Sequence, residues 1–475
     1  MVSLGSAAKI IQRSGNLKGD NSNFNVGNDS SFSREVQKEN ELFSDQFLSF
    51  EDLFSPKSNT IKHSRKKITD DIFELTRNNR WEDIISLYHP VEEKMPDLVK
   101  AGQDNFIRQK IAFAMGHLNR FDEAIKELLI CVKSEPDNFY VRSSLAYTAY
   151  DSLYAAKNRD IFLAGQAKAK RIELAHANFR KAQEIRPDGV TNFYRQAMLF
   201  SQIENKENMA LPLFQKACAN WENLDDAERL LRHQEKKNYI KSLYRTGSLL
   251  LKNGDGKIAL EKVTLCLALD EKTNYVSLSF KYFALGKVQF YLGEYEKARD
   301  ALLFAGQSSS KQKLDFVAEL LARTYLSLGR KDKALNAIET IPERMRRAYF
   351  RWTEADVLCA LQKFNNAKQV LKKSMERDNR SRHKSLIRLV KIEYLQRDFK
   401  NAMEHASEAV LFFREKWQNP YGEGLFWQSL AAFRLGHQNK AEKIALELQQ
   451  NCRFYPKLDR LLAMIKNEKK HQNEG

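Results

Sequence analysis

The sequence contains few cysteines, and their spacing excludes the common metal and redox motifs. The chain of 475 residues has five, Cys131, Cys218, Cys266, Cys359 and Cys452, and no two of them form a C-x-x-C pair. Most fall on apolar stripes of predicted helices. Because such cysteines behave as small apolar residues, the pattern predicts reduced core thiols and a cytoplasmic, reducing compartment.

Long apolar segments are also missing. No run of about 18 apolar residues occurs, so the sequence predicts no membrane-spanning helix. The N-terminal stretch MVSLGSAAKIIQRSGNL has no apolar region long enough for secretion. It is basic and free of acidic residues before Asp20, which in a eukaryote would permit an organelle-targeting interpretation beside the cytoplasmic one.

Motifs for catalysis and cofactor binding are absent. The sequence has no G-x-x-x-x-G-K-[ST] phosphate loop, no H-E-x-x-H pair and no Cys/His cluster with metal spacing. His405 lies near Glu404 and Glu408, but a lone histidine on a charged helix is usually solvated. Serine, histidine and aspartate are too scattered to support a triad. We therefore expect a non-enzyme without a cofactor or a metal.

Basic residues are in excess. Lys and Arg number 78 against 61 Asp and Glu, for a net charge of +17. This balance favours acidic partners such as nucleic acid, acidic peptides or membrane surfaces. A long, Lys-rich helical surface that is simply solvated is the plainer alternative.

One stretch defines a repeating unit. Residues 279–307 read SFKYFALGKVQFYLGEYEKARDALLFAGQ. Gly286 gives a first helix a small face, Gly293 stops that helix, and Ala298 follows near the start of a second helix. Glycine ends a helix because it adopts the left-handed conformation without a Cβ clash. The stretch predicts two antiparallel helices that need copies on either side to bury their apolar faces.

The copies recur at intervals of 39, 36, 33, 35 and 39 residues, by subtraction of the alanine positions. The second-helix alanines are Ala259, Ala298, Ala334, Ala367, Ala402 and Ala441. Five have a small or compact residue twelve positions earlier, in order Gly247, Gly286, Ala322, Ala355 and Ser429, and the copy of Ala402 has Val390 there. Each also has a turn residue five positions earlier, in order Gly254, Gly293, Gly329, Gln362, Arg397 and Gly436.

This pattern resembles the tetratricopeptide repeat, whose period is about 34 residues. The resemblance also rests on an aromatic residue (Tyr295, Phe364 or Phe399) and on a late small residue (Ala305, Ser374 or Ala409). It implies an all-α fold, a right-handed α-solenoid of roughly nine or ten stacked antiparallel helix hairpins.

Composition divides the chain into four parts. Residues 1–62 are rich in Ser and Asn and predict a disordered tail. Residues 63–235 carry degenerate repeats, 236–452 the regular repeats, and 453–475 a capping helix with a polar tail. The copy at 140–187 is longer than the others, which indicates either a functional insertion on one face or a lengthened structural helix.

An acidic, Phe-rich segment at residues 41–54 interrupts the tail. Its sequence is ELFSDQFLSFEDLF, and Phe43, Phe47, Phe50 and Phe54 share one face of a predicted helix. It is either a motif that docks into a groove of this protein or of a partner, or a helix that caps the first repeat.

In the tetratricopeptide family the first helix of each pair lines the concave surface. The resemblance places the following residues in such a partner-binding groove: Tyr244, Phe283, Lys287, Phe290, Arg323, Trp352, Asp356, Lys384, Lys391 and Tyr394. An aromatic and cationic lining suits an acidic peptide with bulky apolar anchors. At positions where the family's chaperone-tail clamp has Lys and Asn, this chain has Tyr244, Ser248, Phe283 and Lys287, which argues against that role.

We therefore expect a non-catalytic protein-interaction scaffold or adaptor. The alternative is nucleic-acid binding through the Arg-rich and aromatic stretch from Arg344 to Arg388. The acidic residues interleaved there also fit salt bridges between neighbouring hairpins. A regulator whose solenoid tightens around a small peptide is a third possibility, and the oligomeric state is not predicted.

Overall fold

The computed structural model describes residues 59–308, 314–452 and 454–473. Within these ranges the chain is helical and contains no β-strand, which confirms the all-α prediction. The first helix begins at Asn59, inside the predicted tail. The Phe-rich segment 41–54 lies outside the described residues.

The described residues belong to two compact units, which we call the N-unit (59–277) and the C-unit (278–473). The N-unit contains the helices α1 (Asn59–Arg77), α2 (Trp81–Tyr88), α3 (Val91–Lys94), α4 (Pro96–Lys100), α5 (Asn105–His117), α6 (Phe121–Ser134), α7 (Phe139–Asn158), α8 (Gly165–Ile185), α9 (Thr191–Met198), α10 (Glu207–Glu222), α11 (Asp226–Leu231), α12 (Lys236–Asn253) and α13 (Gly256–Leu269). A π-helix, Leu199–Glu204, continues α9, and a 3-10 turn, His233–Glu235, precedes α12.

The C-unit consists of five helix pairs and a final helix. Its helices are α14 (Leu278–Tyr291), α15 (Tyr295–Gln307), α16 (Asp315–Ser327), α17 (Lys331–Glu339), α18 (Ala348–Ala360), α19 (Phe364–Arg377), α20 (Arg382–Leu395), α21 (Phe399–Trp417), α22 (Gly422–Arg434), α23 (Gln438–Asn451) and α24 (Leu458–Asn473). The two helices of each pair pack against each other, and each pair packs against the next. The predicted stacking of helix hairpins is confirmed within each unit.

The predicted turn residues are the points where the chain reverses. All six have a positive φ, between 60° and 100°: Gly254, Gly293, Gly329, Gln362, Arg397 and Gly436. Four are glycines, which adopt this conformation without strain. In the N-unit, Asn79, Asn119 and Asn205 take the same left-handed conformation, as asparagine tolerates best after glycine.

The predicted small residues form the contact between the two helices of each pair. All six second-helix alanines are fully buried. A Cβ added at Gly286 would lie 3.2 Å from the carbonyl oxygen of Ala298. In the last copy the Ser429 hydroxyl donates a hydrogen bond of 2.7 Å to the carbonyl oxygen of Ala441. The small first-helix residue is therefore needed because the second-helix backbone lies directly against it.

Candidate partner-binding face

The first helices of the C-unit pairs, α14, α16, α18, α20 and α22, pack against one another in order. We call the surface they share the first-helix face. All the predicted groove residues except Tyr244 lie on these helices, and Tyr244 is half-buried on α12 of the N-unit. Nine of the predicted residues therefore lie on four neighbouring first helices of one unit, α14, α16, α18 and α20.

The face begins with a cation placed over an aromatic ring. The Arg323 guanidinium on α16 lies 5.0 Å from the ring centroid of Phe290 on α14. The Thr353 hydroxyl on α18 donates a hydrogen bond of 2.6 Å to the Glu319 carboxylate on α16. Phe283 is only 6% exposed. It contributes to the core beneath the face, while Phe290 and Arg323 are half-buried at its surface.

Trp352 forms the base of the middle of the face. It is 5% exposed, and its indole nitrogen donates a hydrogen bond of 2.8 Å to the Ser385 hydroxyl. Lys384 and Arg388 lie over its ring, at 5.4 and 5.3 Å from the centroid. Arg388 also pairs with the exposed Asp356 at 3.3 Å. The two cations, rather than the indole, are therefore the surface that a partner would meet.

A third group of contacts joins α20 to α22. Lys391 donates a hydrogen bond of 2.7 Å to Glu423 and lies 5.9 Å from the ring of Trp427. Tyr394 packs edge-on against Trp427, and Arg434 donates a hydrogen bond of 2.8 Å to the Tyr394 hydroxyl. The resemblance predicts groove residues only as far as α20, although α22 opens the last copy at the same register.

Acidic groups on the face are engaged by its basic groups. Burial opposes ionisation of Glu423, but the charge of Lys391 and its hydrogen bond lower the Glu423 pKa. Burial raises the pKa of Glu319, while the charge of Arg323 acts in the opposite direction. The five first helices together carry nine Lys and Arg residues and six Asp and Glu residues, so their net charge is positive.

The Arg-rich stretch from 344 to 388 is largely tied into ion pairs. Arg346, just before α18, contacts Glu354 on that helix at 2.6 Å. Arg347 makes a two-pronged contact with Asp315, and Lys373 contacts Glu343 at 2.9 Å. Arg382 contacts Glu408 on the following helix. These contacts, several of them between neighbouring hairpins, support the structural interpretation of the stretch.

Two histidines differ from what the sequence indicated. The expectation that His405 is solvated is wrong, because its Nδ1 lies 2.8 Å from the carboxylate of buried Glu393. That hydrogen bond raises the pKa of His405. The sequence places His383 only among the Arg-rich residues from 344 to 388, without its aromatic neighbours. It is 5% exposed and faces the rings of Phe412, Phe413, Trp417 and Tyr421, with centroids 5.0–6.1 Å away.

The enclosure of His383 explains its protonation behaviour. Burial lowers the pKa of this histidine to about 4. Its Nδ1 is buried without a hydrogen-bond partner. The signal that could have identified it is the aromatic cluster at the end of α21, FFREKW, followed by Tyr421.

Neither a metal site nor a membrane-spanning helix is present in the described part of the chain. No group of three or more His, Cys, Asp or Glu side chains there is arranged to hold a metal ion. Among the helices from α1 to α24, none combines the length and apolar character that a membrane crossing requires.

Comparison with known proteins supports the repeat assignment. Residues 233–397 match the family model described as a tetratricopeptide repeat-like domain, which confirms the resemblance for this segment. No curated protein sequence matches the chain.

Solved helical proteins align with low identity. Yeast Tom70 is 13% identical, with a TM-score of 0.39, and the alignment covers 87% of this chain and 97% of that one. A tetratricopeptide repeat protein from Parabacteroides merdae ATCC 43184 is 14% identical, with a TM-score of 0.40 and coverages of 63% and 99%. The APC/C hetero-tetramer Cut9-Hcn1 is 11% identical, with a TM-score of 0.39 and coverages of 84% and 76%. Function is therefore inferred from the residues of this chain.

Proposed function

Because residues 233–397 match a tetratricopeptide repeat-like domain, we propose that the protein is a non-catalytic interaction scaffold. Its first-helix face in the C-unit binds an acidic peptide with bulky apolar anchors. One observation carries the proposal. Cations lie over aromatic rings between successive first helices: Arg323 over Phe290, Lys384 and Arg388 over Trp352, and Lys391 over Trp427.

This arrangement favours an extended acidic ligand for a physical reason. The cation–ring pairs lie at three of the four junctions between first helices, α14/α16, α18/α20 and α20/α22, so an extended peptide crossing the face meets positive charge at each of these junctions. The half-buried rings of Phe290 and Tyr394 offer apolar contact between those charges. Tyr244 on α12 is proposed to contribute similarly within the N-unit.

The chain itself contains a segment with the required chemistry. Residues 41–54 combine four phenylalanines, Phe43, Phe47, Phe50 and Phe54, with the acidic residues Glu41, Asp45, Glu51 and Asp52. We propose that this segment, or a partner segment like it, is a ligand of the face. A synthetic peptide of residues 41–54 is therefore the natural probe.

The experiment uses the full chain with the four phenylalanines changed to alanine, so that its own tail does not compete. A fluorescent 41–54 peptide is titrated and its anisotropy is measured. Removing two face charges, Lys287→Gln with Lys384→Gln, is expected to weaken binding roughly three- to tenfold, at the usual strength of exposed ion pairs. The matched control removes two exposed second-helix charges, Lys333→Gln with Lys372→Gln, and leaves affinity unchanged. Equal losses in both variants would reject the face.

Nucleic-acid binding is the alternative, and the same assay separates the two. A random oligonucleotide that displaces the peptide, with an affinity that falls steeply with salt, would support the alternative. Peptide binding that persists with the oligonucleotide in excess supports the scaffold.

A further inference from the structure

The longest hairpin of the N-unit extends beyond its neighbours. Helices α7 and α8 have 20 and 21 residues, whereas α5 and α6 have 13 and 14. On α8, Arg171 pairs with Asp122 near the first residue of α6. On α7, Lys157 donates a hydrogen bond of 2.8 Å to the carbonyl oxygen of Gln202, close to the end of the π-helix.

These two contacts fix the level at which the neighbouring hairpins turn. Residues 158–170 of the long hairpin lie beyond that level. With a helical rise of 1.5 Å per residue, the first turns of α8 before Arg171 project by about 9 Å. We call residues 158–170 the projecting tip. It is the part of the longer copy at 140–187 that the proposed function does not use.

The end of the projecting tip is apolar and open to solvent. Residues 161–164 read IFLA, and Phe162 is 92% exposed. Ile161 and Leu163 beside it are half-buried. A single exposed apolar residue is common on protein surfaces. A phenylalanine exposed at the end of a projection, within an apolar run, is placed to leave water for an apolar environment outside this chain.

Positive charge surrounds this apolar end. Arg159, Lys168 and Lys170 are exposed, and Asp160 is the one acidic residue of the projecting tip. The pKa of Lys157, at the base of the tip, is lowered by burial and further by the charges of Arg245 and Lys168. The potential around the tip is therefore positive on more than one side.

We propose that the projecting tip is a contact site for an anionic lipid surface, with Phe162 entering the interface and Arg159, Lys168 and Lys170 meeting lipid headgroups. Flexible cations around one apolar residue match a surface of uniform negative charge over an apolar interior. A protein partner would instead have to offer an apolar pocket shaped for Phe162, with acidic groups around its rim. The net charge of +17 adds long-range attraction to such a surface.

The experiment measures sedimentation of the full chain with phosphatidylcholine vesicles that contain or lack phosphatidylserine. We expect binding at low salt to the phosphatidylserine vesicles only. Phe162→Ala should weaken it about tenfold, by loss of buried apolar area. Lys168→Gln with Lys170→Gln should weaken it by about thirtyfold, at about fivefold per charge near the surface. The matched controls are Leu231→Ala, an exposed leucine on α11, and Lys126→Gln with Lys257→Gln, which should bind as the unchanged chain does.

A second readout reports insertion itself. A tryptophan introduced as Phe162→Trp should shift its emission to shorter wavelength when phosphatidylserine vesicles are added, and Leu231→Trp should not. The proposal is overturned if the chain ignores these vesicles at low salt, or if Phe162→Ala binds as well as the Leu231 control. It is also overturned if a photoreactive group at position 162 cross-links a protein while vesicle binding is absent. All substituted side chains are exposed, so circular dichroism of each variant should match the unchanged chain.

Discussion

Changing Gly247 to alanine should destabilise the N-unit, although alanine is the better helix former. A Cβ at this position would lie 2.7 Å from Cγ2 of Val263 and 3.2 Å from the carbonyl oxygen of Ala259. Val263 is 1% exposed and β-branched, so in a helix its side chain has one strongly preferred rotamer. Because one of these contacts is with backbone, the overpacking should cost about 2–3 kcal/mol, while helix propensity should gain about 1 kcal/mol, for a net loss of about 1–2 kcal/mol.

The same unit supplies a matched control of opposite sign. Gly116 lies in the last turn of α5, and a Cβ there would have no neighbour within 4 Å. Gly116→Ala should therefore stabilise by about 0.5–1 kcal/mol, through helix propensity alone. A second variant, Gly247→Ala with Val263→Ala, should recover part of the loss, because the added methyl then occupies the space of the removed ones.

The assay is amide hydrogen exchange, measured in α12 and α13 for Gly247→Ala and in α5 and α6 for Gly116→Ala. It reports local opening in a chain whose two units need not unfold together. A loss of 1–2 kcal/mol corresponds to exchange that is roughly five- to thirtyfold faster. If Gly247→Ala slows exchange as Gly116→Ala does, the first helix does not press on the second-helix backbone, and the reasoning about the repeat is refuted.

Two further predictions concern the C-unit. The His383 pKa of about 4 lies below the ordinary 6.5, so the folded unit should lose stability as pH falls from 6.5 towards 4, by up to about 3 kcal/mol. An NMR titration of the imidazole tests this, and a His383 midpoint near pH 6.5 would contradict it. The pKa of His405 is raised, so this residue acts in the opposite direction, and its contribution to stability is lost as pH rises. Ser429→Ala should cost about 0.5–1.5 kcal/mol in urea unfolding, because the Ala441 carbonyl loses a hydrogen bond in a fully buried site, and an unchanged midpoint would show that this bond contributes nothing.

The parts of the fold that depend on local chemistry were predictable from the sequence. Gly254 and Gly436 end helices where a left-handed residue is required, and Ala259 and Ala441 are buried where two helices approach most closely. These features repeat, so a register shared by six copies identifies them even where a single copy, such as that of Arg397, departs from the pattern.

The parts that depend on tertiary packing were not predictable. The sequence marks Trp352 as a first-helix aromatic, but only the structure shows Lys384 and Arg388 lying over its ring. His383 is separated from Trp417 by a whole helix in the sequence, and its enclosure arises when α20 and α21 pack together. Helical periodicity specifies which face is buried, but not which side chains meet there.

The central claim is that the first-helix face of the C-unit receives an acidic, Phe-rich peptide. The most direct test is photo-cross-linking with a 41–54 peptide that carries a photoreactive phenylalanine analogue in place of Phe47, followed by mass spectrometry of the full chain. We predict cross-links on α14, α16, α18, α20 and α22. Cross-links confined to the second helices α15, α17, α19, α21 and α23, or to the N-unit, would contradict the claim.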